Sequence, residues 1–265
     1  MRGPTRATRN ERPIRGRGYL RTSDVASAVG VHPNTVRLYE VWGFLPPIPR
    51  SPKGYRQFTD EHLDLMRLAR TALHFPYPGG KDPVLGLVRR AVEGDLEGAL
   101  DLAGRYLSQV RAERAHAEAA ADLLEDWARG SMPRCADEPL PIGAAATLLG
   151  TTTDALRNWE RNGLLRVPRD PANGYRLYGS TEINRLRVIR VLRSAGYGAM
   201  AILRMMHRLD RGELGELRRA LDTPPEDEED PVHCTDRWLT TLAAQERRAE
   251  DVISQLECMI RKRPR

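Results

Sequence analysis

Two long stretches of the chain carry a seam of positions that steps alternately by four and three. In the first, the seam runs through Leu96, Leu100, Ala103, Leu107, Val110, Arg114, Ala117, Ala121, Leu124 and Ala128. In the second it runs through Trp238, Leu242, Gln245, Ala249, Val252, Leu256 and Met259. A period of 3.5 predicts helices that lie along another helix, and both are polar away from the seam. Ahead of each long helix the pattern is shorter and broken more often. Asp24–Val29 reads as a short helix with Ala and Val inward and Ser23 or Asp24 as its cap. Gly30 breaks it, and Pro33 opens a second helix that runs to about Val41 and stops at Gly43. That spacing predicts a helix-turn-helix. Phe44–Phe58, rich in Pro and Gly, predicts a two-stranded wing turning at Lys53-Gly54. Amphipathic helices are predicted over Glu61–Leu73 and Thr181–Ser194.

The same order of elements occurs twice. Residues Tyr19–Arg70 lie over Leu140–Arg190, with Gly30 matched to Gly150, Arg37 to Arg157, Glu40 to Glu160 and Gly43 to Gly163. Gly54-Tyr55-Arg56 matches Gly174-Tyr175-Arg176, and Phe58 matches Tyr178. The second copy is one residue shorter before Pro168-Arg169 and one longer after it, so the shifts cancel. Agreement over about 50 residues predicts a duplication. The expected organisation is a basic arm at 1–18, a winged helix-turn-helix at 19–94, a long helix at 95–129 and a linker at 130–139. A second winged unit follows at 140–221, an acidic loop at 222–233 and a second long helix at 234–265.

Composition sharpens this picture in three places. The net charge is +6, and all but three of the 42 basic residues are arginines, which form bidentate contacts to phosphate and guanine. A GC-rich genome gives the same arginine bias without any function. The arm at 1–18 holds six arginines and almost nothing apolar, which leaves it without a core to fold around. No apolar run approaches the roughly 20 residues of a membrane span, and the basic start lacks the apolar stretch of a signal peptide, so a cytoplasmic location is expected. Three cysteines give no disulfide framework.

The phrases "RLYE", "GFL" and "GYRQF" in the first copy, and "RNWE", "GLL" and "GYRLY" in the second, resemble the MerR family of bacterial transcription regulators. "LRSAGYGAMAIL" (Leu192–Leu203) resembles the helix–Gly–aromatic–helix segment that follows the wing in that family, whereas "LHFPYPGGKDPVLGLV" departs from it. The resemblance implies a mainly α fold with two winged helix-turn-helix domains. It also implies that the two long helices pair as an antiparallel coiled coil, as they do between the chains of a homodimer. Two modules in one chain then look like a fused pseudo-dimer, a monomer in solution. The family's mechanism is to bend and untwist an over-long promoter spacer so that RNA polymerase engages both elements. Double-stranded promoter DNA and RNA polymerase are the partners so implied.

DNA contact needs a helix for the major groove, cations for phosphate and donors for base edges. His32, Asn34, Thr35 and Arg37 fall at the start of the first recognition helix, and Thr152, Thr153, Asp154, Arg157 and Asn158 at the start of the second. Arg37 and Arg157 are the leading candidates for direct contact, the alternative being an internal ion pair to Glu40 or Glu160. Arg50, Lys53, Tyr55 and Arg56, with Arg166, Arg169, Tyr175 and Arg176, are placed to grip the backbone from the wings. Tyr39 and Trp159 are expected in the core, with Glu40 and Glu160 orienting arginines. Asn34 can read adenine where Asp154 cannot, so an asymmetric operator is expected.

No cofactor is implied. Cys234, after His233, lies near the start of the second long helix, where metal-sensing members of the family carry a cysteine, and the antiparallel arrangement would bring Cys135 close to it. The family's paired cysteines after the long helix are absent and Cys258 lies at the far end, so isolated structural cysteines are the expectation. No ligand-binding domain is expected beyond the second long helix. An enzyme is not expected, since the sequence shows no phosphate-binding glycine loop, nucleophile motif or paired acidic site. An architectural DNA-bending or bridging protein, and an interaction scaffold built on the long helices, share the same composition.

Overall fold

The computed structural model describes residues 18–74, 76–130, 138–213, 217–223 and 237–263. The first unit comprises α1 (Thr22–Val29), α2 (Pro33–Val41), α3 (Asp60–Ala72) and α4 (Asp82–Val92), followed by the long α5 (Leu96–Ala128). The second comprises β1 (Leu140–Pro141), α6 (Ile142–Leu149), α7 (Thr153–Arg161), β2 (Leu177–Tyr178), α8 (Ser180–Ser194), α9 (Ala199–Asp210) and α10 (Leu217–Asp222), followed by α11 (Trp238–Lys262). The molecule is mainly helical and contains two winged helix-turn-helix units. The helix α1 starts two residues earlier than the sequence suggests. Its cap is Arg21, whose N–H donates to Asp24 at 2.8 Å, so Asp24 closes the first turn from inside the helix rather than preceding it.

Neither long helix packs only on its own unit. Leu96, Ala99 and Ala103 at the start of α5 share a core with Val252, Leu256 and Met259 at the end of α11. Val110 and Tyr106 meet Ala249 further along, and Ala117, Ala121 and Leu124 share a core with Leu242 and Trp238. Ascending numbers on one helix meet descending numbers on the other, so the helices run in opposite directions. Charged side chains along the edge of the pair fix that register. Arg111 donates to Glu246 at 2.8 Å and to Glu250 at 2.7 Å, and Arg114 reaches Glu246 at 2.8 Å.

All seven seam positions of α11 are buried. On α5 the seam is broader than two-helix packing requires. Ala99, Tyr106 and Ala120 are also buried, Leu100 and Leu107 are only half-buried, and Arg114 leans out to its acidic partners. The reason is that α5 touches α4 along one flank and α8 and α10 near its end, so a single 3.5-residue stripe does not cover its contacts.

Each winged unit therefore rests on the far end of the other unit's long helix. The core of the first unit, with Val36, Tyr39, Phe58, Met66 and Leu68, includes the last turns of α11. Lys262 pairs with Asp64 of α3 at 2.7 Å, and Gln255 donates to Thr71 at 3.0 Å. The core of the second unit includes the last third of α5. Tyr197, fully buried in the turn between α8 and α9, donates its hydroxyl to Ala117 O at 3.0 Å. Fully burying each Leu or Met of these cores is worth about 1.5–3 kcal/mol. Among the described residues, no helix is long and apolar enough to cross a membrane.

Candidate nucleic-acid interface

The two helix-turn-helix pairs are built alike. Gly30 takes a left-handed conformation at φ +69°, and Val31 N–H turns back to Ala26 O at 2.9 Å. Gly150 does the same at φ +58°, with Thr151 N–H on Ala146 O at 3.0 Å. Without a Cβ the residue enters this region at no steric cost, which permits the sharp turn between helices. The recognition helices start on side-chain caps. His32 Nδ1 accepts from Asn34 N–H at 3.2 Å, and Thr152 Oγ1 accepts from Ala155 N–H at 3.1 Å. These two candidates therefore order the first helical turn, while Thr35 and Thr153 are half-buried beside them.

Val36 and Tyr39 bury the inner face of α2, and Leu156, with half-buried Trp159, that of α7. Tyr39 is buried in the core of its unit, and burial raises its phenol above the ordinary range, the charge of Arg70 opposing it. The outer face of α2 presents Asn34, Arg37, Leu38 and Val41, and that of α7 presents Asp154, Arg157, Asn158 and Arg161, all exposed. Neither Arg37 nor Arg157 pairs with the glutamate of its own helix. Arg37 Nη1 donates to Asn34 Oδ1 at 2.8 Å, and Arg157 Nη1 to Asp154 Oδ1 at 2.8 Å.

The glutamates hold the wings instead. Glu40 accepts from Arg56 Nε at 2.6 Å with Arg50 at 3.9 Å, and Glu160 accepts from Arg176 Nε at 2.5 Å with Arg169 at 3.5 Å. Arg50 faces Arg56 across the first wing, and Arg169 faces Arg176 across the second. The arms of each wing meet at a single bridge rather than as the two strands expected, and one carboxylate clamps both arms to the recognition helix. Arg56 and Arg176 are partly buried in this clamp, whereas Arg50, Lys53, Arg166 and Arg169 are exposed. Tyr55 and Tyr175 project from the wing tips, each 72% exposed. The residue gained after Pro168-Arg169 lies in the wing turn. Ser51 N–H reaches Tyr55 O in the first copy, whereas Asp170 N–H reaches Tyr175 O in the second, one residue further along.

Residues 20–77 and 140–209 each match the MerR HTH family regulatory protein description. The chain carries two MerR-family modules.

The chain is similar to a probable heavy metal-dependent transcriptional regulator of Haemophilus influenzae, 34% identical over 65 residues, covering 24% of this chain and 51% of that protein. It is similar to the HTH-type transcriptional regulator CueR of Escherichia coli, 40% identical over 53 residues, covering 20% and 39%. It is also similar to the mercuric resistance operon regulatory protein of Shigella flexneri, 32% identical over 75 residues, covering 28% and 51%. The matches span about half or less of each relative's length. No solved structure matches significantly. All three relatives are named as regulators rather than enzymes.

Three features of the MerR modules escape the sequence. The segment entering each helix-turn-helix pairs with the end of the wing, Leu20 with Phe58 and β1 with β2, Leu140 opposite Tyr178. Arg185 donates to Leu164 O at 2.8 Å and pairs with Asp210, fixing the loop after α7 to α8 and α9. The pairing with Arg185, first among the causes, holds the Asp210 carboxyl below its ordinary range. Its only sequence signal is an arginine where the first copy has Leu65. Arg190 caps the C-terminus of α6 through Leu149 O. The candidate metal ligands Cys135, His233 and Cys234 lie outside the described residues, as do 1–17 and most of the acidic loop. Among the described residues no group of three or more metal-ligating side chains occurs.

Proposed function

We propose that this chain is a sequence-specific double-stranded DNA-binding transcription regulator acting as a single-chain pseudo-dimer on one promoter. The observation that carries the reading is the crossed packing of the two winged units on the α5–α11 pair. Each unit is braced by the far end of the other's long helix, so two recognition helices belong to one rigid assembly from one chain. Two recognition helices on one frame can each enter a major-groove segment of one duplex.

The outer faces of α2 and α7 enter the groove, with Arg37 and Arg157 released from Asn34 and Asp154 to base edges or phosphate. The wings lie against backbone through Arg50, Lys53, Tyr55, Arg166, Arg169 and Tyr175, while the Glu40 and Glu160 clamps fix their angle. By the resemblance to the MerR family, the duplex held by both units is bent and untwisted. In the promoter this change of spacer geometry lets RNA polymerase engage. The two relatives named as transcriptional regulators support the assignment.

The test is selection of genomic DNA fragments by the purified chain, followed by footprinting and transcription with and without RNA polymerase. A discrete site between two promoter elements, with transcription altered by the chain, supports the reading. Salt-sensitive binding without a discrete site would favour an architectural role, and no binding would favour a scaffold.

A further inference from the structure

The two recognition faces differ in chemistry, although their backbones match. On α2 the stripe Asn34, Arg37, Leu38, Val41 advances by three, one and three residues, so it forms one face of the helix. Leu38 is 44% exposed and Val41 76% exposed, yet both flank Arg37 on the side turned away from the core. Trp42 borders them, 57% exposed, with its ring held edge-on to Phe44 at 6.2 Å and tilted against Tyr39 at 6.1 Å. The equivalent positions of α7 are Asn158, Arg161 and Asn162, all exposed. Leu38, Val41 and Trp42 together make a contiguous exposed apolar patch, the kind of surface that marks a binding site, whereas the second copy is polar there.

We propose that Leu38 and Val41 read the 5-methyl groups of thymines, so the first unit selects a thymine-bearing half-site and the second does not. This rests on the DNA-binding reading above and names its specificity. Thymine alone displays a methyl group in the major groove, and aliphatic side chains recognise it by apolar contact. The face is continuous with Asn34, suited to adenine, and with Arg37, suited to guanine or phosphate, and Glu40 of the same helix holds the cationic wing through Arg50 and Arg56. A protein partner on the same patch would have to share it with those charges. In the second unit, Asn158 and Arg161 offer donors where Leu38 and Val41 offer none, and Asp154 can accept from cytosine.

The experiment uses the full chain and its selected operator, with deoxyuridine replacing thymine in one half-site at a time. Replacement under the first unit is expected to weaken binding about fourfold per contacted methyl, the worth of one buried methylene-sized group. Replacement under the second unit is expected to change affinity less than twofold. The variant Leu38→Asn/Val41→Arg should still bind DNA but lose the sensitivity to deoxyuridine, which also identifies the half-site. Intact binding with no deoxyuridine effect, or an equal effect in both half-sites, overturns the proposal and leaves the DNA-binding reading standing. Absence of sequence-specific binding overturns that reading and the proposal with it.

Discussion

The hydroxyl of Tyr197 donates to the main-chain oxygen of Ala117 across 3.0 Å, joining the second winged unit to the long helix of the first. One residue earlier, Gly196 adopts φ +94°, and Trp238 Nε1 donates to Ala195 O at 2.7 Å. Three segments far apart in sequence meet at this turn. A Cβ on Gly196 would lie 2.6 Å from Trp238 Nε1.

Substitutions here should separate bracing from recognition. Tyr197→Phe is expected to cost about 1 kcal/mol, the net worth of one hydrogen bond. Gly196→Ala is expected to cost more, about 1–3 kcal/mol, because the strained φ and the clash with Trp238 act together. Urea unfolding of the full chain checks both, and equal midpoints for the two variants would contradict the packing.

The arginines Arg37 and Arg157 are poised by neighbours three residues earlier in their helices. Arg37→Ala and Arg157→Ala are each expected to weaken specific binding by about 1–3 kcal/mol. Titration against operator and random duplexes checks this. Equal losses on both duplexes would demote the arginines to phosphate contacts.

Acid should loosen the α5–α11 pair through Glu246. Hydrogen bonds from Arg111 and then Arg114 hold its carboxyl below the ordinary carboxylate range. A depressed folded-state pKa contributes stability above the unfolded value, roughly 4.3, and that stability is lost as pH falls through the folded value. Glu246→Gln is therefore expected to melt lower than the parent at pH 6 and to converge with it in acid. Melting curves between pH 3 and 6 check this, and a constant offset across the range would contradict it.

Much of this architecture is legible in the chain because it is periodic or repeated. The seven-position seam of α11 is fully buried, and the glycines at 30 and 150 mark the turns they make. What stays hidden is short or distant. A two-residue strand at Leu140–Pro141 has no alternation to detect. The Glu40–Arg56 and Glu160–Arg176 clamps join residues 16 apart across a loop. The candidate arginines are legible by position, whereas their links to Asn34 and Asp154 depend on rotamers within one helical turn.

The unlike faces of α2 and α7 predict an asymmetric operator. A duplex built from two copies of the first half-site is expected to bind less well, by about 1–3 kcal/mol per mismatched pair under the second unit. Asp154→Asn should raise affinity generally by removing a negative charge near phosphate. Competition assays with both operators check this, and equal affinity would mean that the helices read alike.

In the proposed frame one chain supplies both DNA-binding halves, with α5 paired to α11 within it. Native mass measurement at micromolar concentration, with and without one operator duplex, tests this most directly. A free mass near 29.9 kDa and one chain per duplex are expected. A stable dimer, or two chains on each duplex, would show that the long helices pair between chains and would contradict the intramolecular frame.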